Sequence, residues 1–154
     1  MTVKAEIYEQ VHKETLAVLE GERNLTARMA TVACLLSQAF PDNIWSGFYM
    51  VDPDNPRELV VGPYQGTLGC LRIPYDKGVC GAAARTGETQ VVEDVHDFAD
   101  HIACDSRSVS EIVVPVRNAK GDLLAVLDID SPEKGTFDDT DREALEILVG
   151  AVFG

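Results

Sequence analysis

Three cysteines carry the first chemical question. Cys70, Cys80 and Cys104 fall where the sequence reads as strand, turn and loop, outside the apolar stripe of any long helix. A cysteine sulfur attacks, exchanges or binds metal as its thiolate, so its surroundings decide its use. Cys80 sits in Gly78-Val79-Cys80-Gly81 at an expected helix start, where the helix dipole favours a thiolate. Cys104, in His101-Ile102-Ala103-Cys104-Asp105, belongs to a long stretch without period. Cys70 shares the polar side of an expected strand with Arg72. Three readings stay open: buried packing thiols, a metal site, or a dithiol pair in which one thiolate attacks a substrate and another resolves the intermediate. No Cys-x2-Cys pair is present, so zinc is the weakest of them and no metal is expected. Cys34 lies beside the stripe of a helix and is expected to pack.

The second set is acidic and aromatic. Period-two alternation over 44–51 puts Trp45, Gly47, Tyr49 and Val51 on one face of a strand. Over 111–117 it opposes Glu111, Val113 and Pro115 to Ile112, Val114 and Val116, and over 123–130 it separates Leu124, Val126, Asp128 and Asp130 from Ala125, Leu127 and Ile129. Taken singly, the acids are solvated strand ends and Trp45 is core. Converging on one sheet face, Trp45, Tyr49, Glu111, Asp128 and Asp130 would line an anionic, aromatic-walled pocket. That pocket suits a small ligand with an ammonium group and an apolar end.

The elements that position these residues follow from period and punctuation. A first helix carries Val3, Ile7, Val11, Leu16 and Leu19 and closes at Gly21; a second starts at Asn24, turns Met29, Val32, Ala33, Leu36 and Phe40 inward, and stops before Pro41. Strands are expected over 44–51, 58–62, 68–73, 90–95, 111–117 and 123–130, with turns at 52–56 and 118–122. A short helix spans 78–85, and 96–109 is a long loop of the kind that is usually functional. A last helix opens at Asp138 and carries Leu145, Leu148, Val149 and Val152. The expected class is α+β: an antiparallel sheet with N- and C-terminal helices on one face and a pocket under loops on the other. The apolar segment 148–153 packs on its own sheet or on a second chain, which leaves a homodimer open.

Composition narrows the setting. The 154 residues hold 26 acidic and 13 basic side chains, a formal charge of −13. That excludes nucleic acid, whose phosphates need a basic stripe, and an anionic membrane surface. The N-terminus scatters charge among its apolar residues and has no apolar core of a signal peptide, so a cytoplasmic setting is expected. There, cysteines are more often free, metal-bound or redox-active than structural.

Val79-Cys80-Gly81 through Gly87-Glu88 to Val92-Glu93-Asp94-Val95 resembles a GAF domain, as do Val114-Pro115-Val116, the run Gly121-Asp122-Leu123-Leu124-Ala125-Val126-Leu127-Asp128-Ile129-Asp130, and Gly135-Thr136-Phe137-Asp138. More narrowly, Trp45-Ser46-Gly47-Phe48-Tyr49, Gly62-Pro63-Tyr64-Gln65-Gly66, Lys77-Gly78-Val79-Cys80-Gly81, His101-Ile102-Ala103-Cys104-Asp105 and Ser110-Glu111-Ile112-Val113-Val114-Pro115 are similar to the free methionine-(R)-sulfoxide reductase family. The resemblance covers nearly the whole chain and implies a single GAF domain over residues 1–154. It implies reduction of free L-methionine-(R)-S-oxide by thiols, with no cofactor and with a thioredoxin-type reductant as partner. By the same resemblance Cys104 is the catalytic thiol, Cys70 the main resolving thiol and Cys80 a third catalytic-site cysteine. Trp45 and Tyr49 become the wall around the methyl sulfoxide end; Glu111, Asp128 and Asp130 become the cluster that holds the substrate and handles protons. The GAF fold alone leaves an alternative, a non-catalytic ligand-sensing module, because that fold hosts many ligands.

Overall fold

The computed structural model describes residues 1–101 and 104–154; Ile102 and Ala103, inside the expected loop 96–109, lie outside the described residues. In chain order the elements are α1 (Val3–Val18), α2 (Leu25–Ala39), β1 (Trp45–Asp52), β2 (Asn55–Gly66), β3 (Arg72–Pro74), α3 (Gly78–Thr86), β4 (Gln90–Val92), a 3-10 turn (Val95–Asp97), β5 (Ser110–Arg117), β6 (Leu123–Ser131) and α4 (Asp139–Phe153). The strands form one antiparallel sheet of order β3-β2-β1-β6-β5-β4. The fold is α+β, as expected.

Helices α1, α2 and α4 cover one face. Met29, Val32, Ala33 and Leu36 of α2 and Leu145, Leu148, Val149 and Val152 of α4 bury against Phe48, Ile112, Val114, Leu127 and Ile129 of the sheet. Each of these side chains other than Ala33, withdrawn from water, contributes about 1.5–3 kcal/mol. Local chemistry starts the helices where the sequence indicates. The Asn24 side chain accepts from the Ala27 N–H at 2.9 Å and begins α2. Asp138 and Asp141 form a reciprocal capping box at α4. Asp141 also accepts from the Tyr8 hydroxyl at 2.5 Å and from Lys4 at 2.8 Å, which fastens α1 to α4.

Four expectations need correction. The inward face of α1 is Tyr8, Val11 and Thr15, while Val3 and Leu16 are exposed, because α1 rests on α4 and α2 through residues spaced three and four apart. Strand β2 continues past Gly62 to Gly66. Pro63 does not end it, since the pairs Gly47–Tyr64 and Tyr49–Val61 leave Gly62 and Pro63 together opposite Phe48 in a bulge. The expected strand over 68–73 shrinks to Arg72–Pro74, so Cys70 lies on a loop. Leu68 and Leu71 find nothing to pack against there, and the Cys70 N–H donates to the Tyr49 hydroxyl at 3.1 Å instead of to a strand. Strand β4 ends at Val92 because Asp94 caps the following turn, accepting from the His96 N–H at 3.0 Å.

The C-terminal segment packs on its own core: Phe153 meets Phe48 edge-on at 5.6 Å. Among the described residues, no helix is long and apolar enough to cross a membrane.

Candidate active site

The face opposite α1, α2 and α4 carries the acids. Register pairs Trp45 with Asp130 and Gly47 with Asp128 across β1 and β6, and Glu111 with Asp130 and Val113 with Asp128 across β5 and β6. Directly opposed residues point to the same side, so Trp45, Tyr49, Glu111, Asp128 and Asp130 converge as the alternation predicts. Trp45 stacks between two phenols, Tyr49 at 5.1 Å and Tyr64 at 4.8 Å. Gly69 lies on this wall: a Cβ there would approach Trp45 Cζ2 to 2.9 Å and Tyr49 Oη to 3.0 Å.

Helix α3 lies across the same face and lowers Cys80 into it. Cys80 is buried, with Sγ 4.0 Å from Glu111 Oε2. Above them, Cys70 of the loop 67–71 and Cys104 are joined by a disulfide, with Cα atoms 5.3 Å apart. Cys104 is exposed and Cys70 half-buried. A narrow cavity of about 40 Å³ remains, with Trp45, Tyr49, Cys80, Cys104, Glu111 and Asp128 in its lining. Asp130 and His101 also border it.

Burial sets the protonation. Glu111 is pushed well above the usual carboxylate range, first by desolvation and then by the Asp128 charge. Asp128 rises by desolvation and by Asp130, and Asp130 by desolvation and by Glu111. Crowded acids that face no cation among the described residues keep protons at pH values where an exposed acid has lost them. Cys80 responds in the same direction, so the expected thiolate is overturned. Its thiol is pushed up by burial and then by Asp128, Glu111 and Asp130, which outweigh the start of α3. Burial, followed by Asp128, also keeps the Tyr49 phenol neutral.

In residues lining this cavity three buried polar atoms have no hydrogen-bond partner among the described residues: Asp128 Oδ1 and Trp45 Nε1, in residues exposed by 3% and 4%, and His101 Nδ1. Orphaned buried polar atoms in a cavity wall mark where a ligand's own polar groups belong. Cys80, Glu111 and Asp128 bring one donor atom each within 4.8 Å of one another, which is spacing for a single cation. A metal there must displace protons that burial holds in place, whereas an alkylammonium brings donors to the same oxygens.

Sequence reasoning missed Tyr64 and His101. Simple alternation from Val61 would turn Tyr64 away from the pocket, because the bulge at Gly62-Pro63 shifts the phase of β2 by one residue. His101 lies beside Cys104 in the periodless stretch, and burial holds its imidazole below the usual range, so it is neutral at pH 7.

A GAF domain family profile matches residues 22–152. The free methionine-R-sulfoxide reductase of Escherichia coli strain K12 is 42% identical over 146 residues, 95% of this chain and 86% of that protein. The protein of the same name in Saccharomyces cerevisiae is 40% identical over 149 residues, 94% of this chain and 83% of that one. The Neisseria meningitidis free methionine-R-sulfoxide reductase, solved with its substrate, superposes with a TM-score of 0.92 at 43% identity, covering 99% of this chain and 89% of that one. The chain belongs to the GAF domain family, in the branch that holds the free methionine-R-sulfoxide reductases.

Proposed function

We propose that this protein reduces free L-methionine-(R)-S-oxide to L-methionine, with Cys104 as the attacking thiol. The observation that carries the reading is the Cys70–Cys104 bridge at the mouth of a cavity walled by Trp45 and Tyr49 and floored by buried carboxyls. The sulfoxide sulfur meets Cys104 with its methyl against the indole. Its ammonium goes to the acidic cluster, where Asp128 Oδ1 has an acceptor position to offer.

Cys104 sulfur attacks the sulfoxide sulfur, and the oxygen passes to Cys104 as the sulfenic acid. The thiol sulfur loses two electrons, the sulfoxide sulfur gains them, and methionine leaves. The oxygen needs a proton as its bond to the substrate sulfur breaks, and a carboxyl held protonated by burial supplies it as a general acid. Cys70 then attacks Cys104: the S–S bond forms, the S–O bond breaks, and the thiol proton leaves with the hydroxyl as water. No metal or organic cofactor enters these steps. Cys80, kept as a thiol, acts as a further catalytic-site sulfur beside Glu111.

A dithiol of thioredoxin type, poised near about −270 mV, reopens the bridge. Exposed Cys104, with Leu68 82% and Leu71 70% exposed on either side of Cys70, supports access by a protein reductant. The reducing cytoplasm is the compartment that supplies one. Every group in the scheme comes from one chain, so a homodimer would hold two independent sites.

The ammonium contact restricts the substrate to the free amino acid. A peptide nitrogen has no charge to offer the cluster and leaves buried acids without a partner. The test is to assay free and peptide-bound methionine sulfoxides with dithiothreitol: only the free R epimer should be consumed, and equal turnover of both forms rejects the reading. A ligand-sensing module without chemistry predicts no consumption of either, and ligand binding that survives alkylation of the thiols.

A further inference from the structure

The two cysteines that bridge sit on separate loops, and each loop has its own anchorage. In the loop 67–71, the Thr67 N–H donates to the Ile44 carbonyl at 3.1 Å, the Cys70 N–H to Tyr49 Oη at 3.1 Å, and the Leu71 carbonyl accepts from Val61 at 2.9 Å. The turn after Cys104 is closed by the Ser108 N–H on the Asp105 carbonyl at 3.1 Å and by the Val109 N–H on the Ser131 carbonyl at 2.8 Å. Among the described residues, one side-chain hydrogen bond joins the loops apart from the disulfide: Thr67 Oγ1 donates to Asp105 Oδ2 at 2.9 Å.

We propose that Thr67 and Asp105 form a latch that keeps the two loops at bonding distance while the disulfide is open, and so sets the speed at which Cys70 resolves Cys104. The proposal rests on the reading of Cys104 as attacking thiol and Cys70 as its resolving partner. Both latch residues are positioning residues, because neither is asked to touch the reacting sulfurs.

The physical need is geometric. Cysteines whose Cα atoms drift beyond about 7 Å do not bridge without backbone movement, and here they stand at 5.3 Å. Once Cys104 is a sulfenic acid, no covalent link holds that separation. Thr67 lies three residues before Cys70 and Asp105 directly after Cys104, so their hydrogen bond spans the same gap as the S–S bond. Asp105 is itself fixed: Arg107 donates to Oδ2 from Nη2 at 2.8 Å and to Oδ1 from Nε at 3.2 Å, and the Arg107 N–H donates to Oδ1 at 2.9 Å. These contacts hold the Asp105 carboxyl below the usual range, so it accepts from Thr67 across the neutral pH range. Holding two reactants in place converts a search into a local step.

The step itself needs no outside reactant. Cys70–SH and Cys104–S–OH give the disulfide and water; the thiol sulfur is oxidised by one electron equivalent and the sulfenic sulfur reduced by one.

The experiment is a single turnover of the reduced full chain with free methionine-(R)-sulfoxide, without added reductant. Methionine release reports the first step, and dimedone trapping of the sulfenic acid over time reports the second. Thr67→Val should leave the burst of one methionine per chain within about threefold while lengthening the sulfenic acid's lifetime about tenfold, the factor that corresponds to about 1.4 kcal/mol. Asp105→Ala should do the same, and Thr67→Ser, which restores the hydroxyl, should restore the wild-type lifetime. Unchanged resolution in Thr67→Val beside a normal burst overturns the latch alone. Both steps slowing together, or no rescue by Thr67→Ser, overturns it as well, since a general loss of structure then accounts for the effect. A wild-type chain that releases no methionine overturns both this inference and the reading beneath it.

Discussion

The two faces of the central sheet are built from the same strands and obey opposite rules. On the helix-covered face, Phe48, Ile112, Leu127 and Ile129 are fully buried among apolar neighbours. One residue along each strand, the other face buries Asp128 and Glu111 and crowds Asp130 beside them. The first arrangement lowers the free energy of the fold without any ligand. The second buries acids with no cation opposite them among the described residues, a cost that falls when protons or an ammonium arrive. Stability and chemistry are thus divided between alternate positions along each of β1, β5 and β6.

That division is open to direct attack. Cys104→Ser, at the mouth of the acidic face, should lower free sulfoxide reduction by more than about a thousandfold and, with both proteins kept reduced so that the Cys70–Cys104 bridge is open in the wild type too, leave the urea midpoint where it was. Cys70→Ser is a milder lesion on the same side: one methionine per chain is still released, and recycling becomes slow. On the helix side, Phe48→Ala should cost about 3–5 kcal/mol in urea unfolding while kcat/KM of the folded fraction holds. Loss of activity with no loss of stability in that variant would break the comparison.

Asp128→Asn tests the acidic face for the opposite pattern. It should cost about a hundredfold or more in kcat/KM, as loss of proton handling and ammonium binding requires, without destabilising the chain at pH 7. The pH dependence of stability sharpens the same point. Glu111, Asp128 and Asp130 have folded-state values raised above those of the unfolded chain. Above about pH 4 the folded state therefore binds more protons than the unfolded one, and stability falls as pH rises. Asp52, Asp94 and Asp105, lowered by hydrogen bonds from Arg72, His96 and Arg107, act in the reverse sense, giving up stability as pH falls, but those three partners are exposed to solvent, where such pairs contribute little. The urea midpoint should be higher at about pH 5 than at about pH 8, and Asp128→Asn should flatten that slope. The smallest effect belongs to Cys34→Ser: the thiol is free and half-buried outside both arrangements, so activity should not change and stability should move by less than about 1 kcal/mol.

Most of the site was legible because its signal is local and strict. Alternation groups Trp45 with Tyr49 and Asp128 with Asp130 within their strands and sets Glu111 opposite Ile112; that the three groups share one side is what the register of β1, β6 and β5 adds. The capping residues Asn24 and Asp138 marked their helices for the same reason. What escaped depends on partners distant in sequence. The strand expected over 58–62 stops short of Tyr64, and only the bulge opposite Phe48 lets β2 carry Tyr64 to the indole. Cys70 looked like a strand residue until the Tyr49 hydroxyl took its N–H. Cys80 was read from its place at a helix start, whereas three carboxyls supplied by β5 and β6 govern its proton. The pairing of Cys70 with Cys104 came from family resemblance; no spacing rule chooses one partner among several cysteines.

Trp45 is the only tryptophan in the chain, and it stands in the cavity wall with a phenol on either side. Emission at long excitation wavelength therefore originates at a single point, beside both the acidic floor and the sulfur bridge. Disulfides quench nearby indoles and ligands shift their emission, so the intact protein is its own fluorimeter. Filling of the cavity and opening of the bridge can be followed in real time with no dye attached.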